Sequence, residues 1–369
     1  AARQVAPDTP LSCYCIGFDS EPGLPDDEDD LPHARTVAAH LGVTLTPLIV
    51  GPDIIDRLPR MLELLDEPQA DPAPINALLI AETARAAGFK VLLSGAGGDD
   101  IFSGYRRHTA LRFERFWGWL PLALRRGLAA GARGAASGHM PFGMHTPLTR
   151  RLTKMFSFAD SDADHRLISY FWWSTEELRR GLYTPELGAR LAEVDTSAQL
   201  LESLGRIPGE HAPLNRMLFL EAKHFLADHN LNYTDRMGMA AGVEIRVPLL
   251  DLELVRYACA IPPELKQHGA EGKSVFRRAM APWLPPSVIH RSKTGFGVPL
   301  RRWLSRELRP MVEELLGARS LKNRGWFRPD AVRALIDLDR ARRIDGGYTI
   351  LSLMCLELWA RQVLDAPAA

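Results

Sequence analysis

Val91 to Tyr105 reads VLLSGAGGDDIFSGY, a short apolar run, a Gly-rich turn and a pair of aspartates. Val91-Leu92-Leu93 is an apolar run of the kind that fills a parallel strand covered on both faces. The chain then turns through Ser94-Gly95-Ala96-Gly97-Gly98 and presents Asp99 and Asp100 where a helix begins. A Gly-rich turn between strand and helix lets backbone N–H groups approach a phosphate or nucleotide closely, because no Cβ blocks the way. A carboxylate pair at its end can hold a hard cation such as Mg²⁺ against phosphate oxygens. A tight turn whose aspartates merely cap the helix explains the same residues. On this segment alone both readings stay open.

The residues upstream alternate between strand and helix. Ser12 to Phe18 predicts a strand, Leu31 to Leu41 a helix closed by Gly42, and Val43 to Val50 a second strand. Asp53 to Leu65 and Pro74 to Ala87 predict helices, and Val91 to Leu93 the third strand. Strands separated by helices imply an α/β fold with a parallel sheet and a ligand at the carboxyl ends of the strands. Ile16-Gly17 and Ser94-Gly95 both fall at such ends, which favours nucleotide binding. Beyond Tyr105 the strands stop. Thr109 to Arg133 reads as a basic helix in which Trp117 and Trp119 pack in the core, and Gly134 to Pro147 as a loop with surface His139 and His145. Helices are further expected at Leu214 to Asp228, Leu252 to Ala260, Lys273 to Ala281, Pro299 to Leu316 and Thr349 to Leu364. Residues 1–110 thus form a parallel-sheet, nucleotide-binding half and residues 111–369 a mainly helical half.

Composition limits the partners. The 369 residues are 46% hydrophobic, enough for a sizeable core, and Lys+Arg and Asp+Glu are each 45. Bulk charge therefore points to neither nucleic acid nor a membrane as partner. No apolar run reaches spanning length and no signal peptide is visible, so a cytoplasmic location is expected. Cys13 and Cys15 are spaced for neither a CxxC redox pair nor a zinc site, and buried reduced thiols are expected. The acidic run Asp26 to Asp30 reads as solvated.

Two more clusters carry charge. Asp235 to Asp251, DRMGMAAGVEIRVPLLD, sets five ionisable side chains among apolar and small residues, where charges are costly to bury unless paired. Glu244 and Arg246 share a face of an extended stretch. A buried ion-pair lattice is expected for Arg246 and Asp251, and a place lining the substrate pocket for Asp235, Arg236 and Glu244. His290 to Pro299, HRSKTGFGVP, is a basic loop with two glycines that suits pyrophosphate or a developing phosphate charge.

In this order the three segments, with Asp66-Glu67-Pro68 ahead of the Pro74 helix, resemble the synthetase domain of glutamine-dependent asparagine synthetases. The resemblance covers nearly the whole chain, least closely from Leu111 to Pro213. It implies an ATP-pyrophosphatase fold of the adenine nucleotide α-hydrolase type, with ATP and Mg²⁺ as cofactors. It implies an amide-forming ligase: aspartate and ATP give an acyl-adenylate and pyrophosphate, and ammonia from glutamine displaces AMP. By the same resemblance Ile16, Gly17, Ser94 and Gly95 contact ATP, and Asp99 with Asp100 holds Mg²⁺. Lys293 contacts phosphate and stabilises the transition-state charge. The partners implied are small molecules, and a homodimer is admitted.

Three departures qualify this. The family's first phosphate loop, of the form SGGxDS, belongs just upstream of the Ser12 strand, and the glutaminase domain belongs before that. Neither is in this sequence, so the expectation is a fragment of a longer protein, inactive alone. Third, Ala96 stands where well-characterised asparagine synthetases carry a glutamate, and an alanine does no acid–base work. Glu244 or Asp100 is the nearest replacement by type if aspartate is the acceptor. Otherwise Ala96 makes room for a bulkier carboxylate beside Asp235 and Arg236. The alternatives are thus a related amidotransferase or amide-bond cyclase on another carboxylate, or a non-catalytic homologue that only binds.

Overall fold

The computed structural model of the protein describes residues 2–18, 30–136, 147–208, 211–291 and 300–366. The chain clusters into two compact units. One comprises Ala1–Asp66, Pro72–Arg106 and Glu221–Pro299; the other comprises Glu67–Asp71, Arg107–Leu220 and Leu300–Ala369. The first unit takes up the strands together with the later charged segments. Among the described residues the second is helical apart from an isolated bridge between Tyr183 and Phe327. The described residues are mostly helical with small parallel strand pairs.

In the first unit, strand β1 (Ser12–Phe18) pairs in parallel with β2 (Thr44–Val50), with Ser12 opposite Thr44 and Phe18 opposite Val50. The connecting helix Leu31–Leu41 ends as its sequence demands. Gly42 takes φ 61° and its N–H returns to the carbonyls of Ala38 and Ala39. Pro47 lies opposite Cys15 and has no N–H, so β2 suits an edge position. β3 (Val91–Leu93) pairs with neither of these strands. Its parallel partner is β4 (Glu244–Arg246), some 150 residues later in the chain, with Val91 opposite Glu244 and Leu93 opposite Arg246. The strand positions were legible from the local pattern, but a three-residue strand carries no mark of its partner.

The helices follow their apolar spacing with breaks that the pattern hides. The expected Asp53–Leu65 helix is a 3₁₀ segment, Pro52–Arg57, leading into α-helix Leu58–Leu65. There Leu58, Met61, Leu62 and Leu65, one face at i, i+3, i+4 and i+7, are fully buried. The expected Leu214–Asp228 helix is Pro213–Leu220 followed by a π-helical stretch, Glu221–Leu231, before α-geometry resumes at Asn232–Ala240. The basic Thr109–Arg133 stretch breaks at Trp117–Pro121 between helices Arg106–Phe113 and Leu122–Ala136. No described helix is long and apolar enough to cross a membrane.

Several expectations are corrected. Trp117 is buried and packs on Phe156, but Trp119 is 73% exposed, because the break turns it outward. All four thiols are free, yet of them only Cys355 is buried; Cys13 and Cys259 are exposed. Arg246 and Asp251 form no buried lattice. Arg246 pairs with Glu244 in the open, and Asp251 caps helix Leu252–Ala260 by accepting from the N–H groups of Glu253 and Leu254. Asp30 at the end of the acidic run pairs with Arg291 at 2.6 Å. Asp26 to Asp29, His139 and His145 lie outside the described residues.

Gly97 shows why the Gly-rich turn needs its glycines. Its φ is 88°, and a Cβ there would run into the Leu250 side chain. A Cβ on Gly98 would come within 2.9 Å of Leu249. Gly97→Ala is therefore expected to cost about 1–3 kcal/mol, from left-handed backbone strain plus displacement of Leu250. Urea unfolding followed by circular dichroism measures it, and an unchanged midpoint would refute this account.

Candidate functional site

The carboxyl end of the β3–β4 pair carries Ser94, Gly95, Ala96, Asp99 and Asp100. The ladder extends one bond past β3, with Ser94 N–H donating to the Arg246 carbonyl at 2.8 Å. The Ser94 hydroxyl then accepts from Ala96 N–H at 3.2 Å, which folds the turn back on itself. Of the turn's glycines, Gly97 and Gly98 serve packing against Leu250 and Leu249. Gly95 differs: it is exposed, and nothing lies within 4 Å of where its Cβ would be. Its open backbone is the place where a ligand could approach closely.

Helix Gly98–Phe102 then sets Asp99 and Asp100 side by side. Asp99 is bound to Lys273, whose ammonium lies 3.0 Å from the carboxylate. Gly104 permits this pair, since a Cβ there would collide with both Asp99 and Lys273. Lys273 itself has φ 57°, a left-handed conformation that costs a non-glycine residue about 1–2 kcal/mol, and its N–H donates to the Phe102 carbonyl. Asp100 turns inward and is 1% exposed. The Tyr105 hydroxyl donates to it at 3.2 Å and accepts from the Asn230 amide at 3.3 Å. Burial, then the neighbouring charges of Glu221 and Asp99, push the Asp100 carboxyl up to about 7. Glu221 is fully buried and opens the π-helical stretch. Such stretches insert one residue into the helical ladder and frequently mark functional sites.

Other predicted residues lie elsewhere. Ile16 is buried in β1 opposite Leu48, and Gly17 is needed because a Cβ would meet Leu31 at 2.7 Å. β1 and β3 are not hydrogen-bonded to each other among the described residues. Glu244 lies opposite Val91, at the amino end of its ladder, away from the Gly95 end. Its exposed carboxylate is held at 2.9 Å by Arg246, which keeps it below the usual carboxylate range. Asp235 and Arg236 are exposed on helix Asn232–Ala240; Arg236 bonds Asn232 and the Asp66 carboxylate at the end of the Leu58–Leu65 helix. Ala96 is half-buried in the turn. Lys293 lies outside the described residues.

Sequence reasoning passed over Lys273, Tyr105 and Glu221. Gly272-Lys273 ahead of a helix was a signal for the first. Nothing local marks Glu221, which reaches Asp100 across more than a hundred residues of chain. Among the described residues no three His, Cys, Asp or Glu side chains form a metal site by themselves. That donor set still fits Mg²⁺, which typically takes one or two carboxylates together with substrate phosphates.

The sequence model of the asparagine synthase family matches residues 1–361. The chain belongs to the asparagine synthase family. Asparagine synthetase (glutamine-hydrolyzing) 1 of Bacillus subtilis (strain 168) is 27% identical over 363 residues, covering 95% of this chain and 52% of that protein. A putative asparagine synthetase (glutamine-hydrolyzing) of Mycobacterium bovis is 30% identical over 305 residues, covering 82% of this chain and 43% of its own. A protein named amidase chyE, from Penicillium rubens, is 24% identical over 346 residues, 89% of this chain and 49% of that one. The chain spans about half the length of the curated relatives it matches. This membership supports a carbon–nitrogen ligase family.

The raised Asp100 pKa carries a linkage. A carboxyl protonated more readily in the folded state stabilises most below its unfolded pKa of 3.8, and that stability is lost as pH rises towards about 7. With a chelator present, stability should fall across this window by up to about 1.4 kcal/mol per pH unit. Asp100→Asn keeps the shape and abolishes the slope. Parallel pH profiles for the two proteins would show the burial argument to be mistaken.

Proposed function

We propose that this chain is the ATP-using part of an amide-forming ligase that makes asparagine from aspartate. A carboxylate attacks the α-phosphorus of ATP, pyrophosphate leaves, and ammonia displaces AMP from the acyl-adenylate with loss of a proton. Family membership over residues 1–361, joined to the Gly95–Asp100 turn at a strand's carboxyl end, carries this reading.

The roles divide as follows. The backbone of Ile16, Gly17, Ser94 and Gly95 faces the nucleotide, with Gly95 open for close approach. Asp99, oriented by Lys273, and Asp100 are the carboxylates for Mg²⁺. When bound, Mg²⁺ supplies positive charge that offsets the pyrophosphate oxygens. Asp100 gives up its proton more easily beside a divalent cation, because the like charges of Glu221 and Asp99 are then offset. Lys293 stabilises charge on the departing pyrophosphate, and Asp235 and Arg236 lie toward the acceptor. Ala96 leaves the acid–base role of the family's glutamate to another group, Asp100 or Glu244. Of these, Asp100 lies next to the turn but is taken up by Mg²⁺ in this reading, and Glu244 lies at the far end of its ladder.

Ala96 also favours a second reading, amide formation on a carboxylate larger than aspartate. The relative named as an amidase agrees with it in a general way.

The gene product that carries this chain, given ATP, Mg²⁺, ammonia or glutamine, and aspartate, should release AMP, pyrophosphate and asparagine. Asp99→Asn and Lys293→Ala should each slow turnover about a hundredfold or more, the usual cost of one charge contact to a transition state. AMP release that ignores aspartate and answers to another carboxylic acid would select the second reading. Unimpaired turnover by both variants would remove these residues from the site.

A further inference from the structure

The Arg106–Ala136 segment lies outside the site just described and has no part in it. Its sequence, RRHTALRFERFWGWLPLALRRGLAAGARGAA, carries seven arginines and one acidic residue in a chain whose formal net charge is zero. That single acid, Glu114, is turned inward. It accepts from Arg166 at 3.1 Å and from the Tyr170 hydroxyl at 2.8 Å, and Arg133 is paired with Asp160, which leaves the other arginines as the basic surface.

The break between the two helices and the helix ends that flank it carry large apolar side chains into solvent. Trp119 is 73% exposed, Phe116 58% and Leu124 57%, and Phe113 and Leu122 are exposed as well. They are ordered among themselves. The Phe113 and Phe116 rings lie 5.9 Å apart, Arg115 sits 4.6 Å over the Phe116 ring, and Trp119 Nε1 donates to the Phe116 carbonyl at 3.0 Å. Trp117, Ala129 and Ala159 form the core of this region, with Leu120, Leu128, Met155 and Phe156 packed against it, and the exposed rings are not part of that cluster. Arg115 and Arg126 are exposed, and no acidic residue occurs from Arg115 to Ala136, although Asp160 from the following segment lies near Arg126. The neighbouring helix Pro147–Phe156 adds exposed Leu148, Arg151 and Leu152.

We propose that this aromatic and basic surface docks on an anionic lipid surface, with Trp119, Phe116 and Leu124 entering the headgroup boundary and Arg115 and Arg126 pairing with lipid phosphates. Tryptophan and phenylalanine are well suited to that boundary, which is apolar on one side and wet on the other. Basic side chains gain from the negative surface potential, roughly fivefold in binding for each one near the surface. A second copy of the chain is a poorer occupant, because the two arginine clusters would repel. A nucleic acid would take up the charge but leave Leu122 and Leu124 in water.

The 369-residue chain should float with vesicles of phosphatidylcholine and phosphatidylglycerol, stay behind with phosphatidylcholine alone, and be released by high salt. Trp119→Ala with Phe116→Ala should lower the partition at least tenfold, and Arg115→Gln with Arg126→Gln by a similar factor, with unchanged circular dichroism. Equal flotation on both vesicle types, flotation untouched by salt or by both double variants, or no flotation at all overturns the proposal. So does binding of a single-stranded oligonucleotide, without vesicle binding, that the same substitutions abolish.

Discussion

Two buried carboxylates, Asp100 and Glu221, lie with a partly exposed third, Asp99, in one corner of the first unit, and the local structure makes that tolerable. Burial of Asp100 beside Glu221 and Asp99 would be prohibitive if all three were charged and unaided, since like charges in a low-dielectric setting repel strongly. Lys273 meets Asp99, the Tyr105 hydroxyl bonds Asp100, and Asp100 holds its proton to near-neutral pH. Each device needs a particular backbone. Lys273 takes a left-handed φ, Gly104 makes room for the ion pair, and the π-helical stretch delivers Glu221. The result is a buried acidic group close in the chain to a turn whose Gly95 stays open.

The packing of the turn separates structural glycines from one that is available. Gly97 and Gly98 are occupied by Leu250 and Leu249, residues that follow β4. The Val91–Tyr105 and Asp235–Asp251 segments are therefore one object: a parallel ladder, its carboxyl-end turn, and two leucines seated on that turn. A similar tie joins Asp66 to Arg236, which fixes the end of the Leu58–Leu65 helix to helix Asn232–Ala240. Motifs that look like separate chemical signals in the chain are in part each other's packing partners.

The second unit is held by more ordinary means. Leu111, Leu167, Ile168, Leu204, Met217 and Leu220 make one core cluster. In its last helix, Gly347–Val363, the buried Glu357 is paired by Arg324 at 2.9 Å and Arg361 at 2.8 Å, an arrangement costly to break by removing one partner. Its unusual feature is outward, in the exposed aromatic and basic surface around Trp119.

The strand at Ser12–Phe18, the Gly42-capped helix, the β3 turn with its aspartates, the extended Glu244–Arg246 stretch and the family could all be read along the chain. These are local signals, set by side-chain period, by glycine's access to positive φ and by proline's missing donor. Only the tertiary structure decided that β3 pairs with β4, that Gly97 and Gly98 serve packing while Gly95 stays open, and that Glu244 lies at the amino end of its ladder. It alone brought Glu221 and Lys273 to the two aspartates and turned Trp119 to solvent. The physical reason is that register, burial and electrostatic neighbourhood depend on which distant segments meet. A side chain's pattern reports its own backbone, whereas a carboxylate's pKa reports everything folded around it.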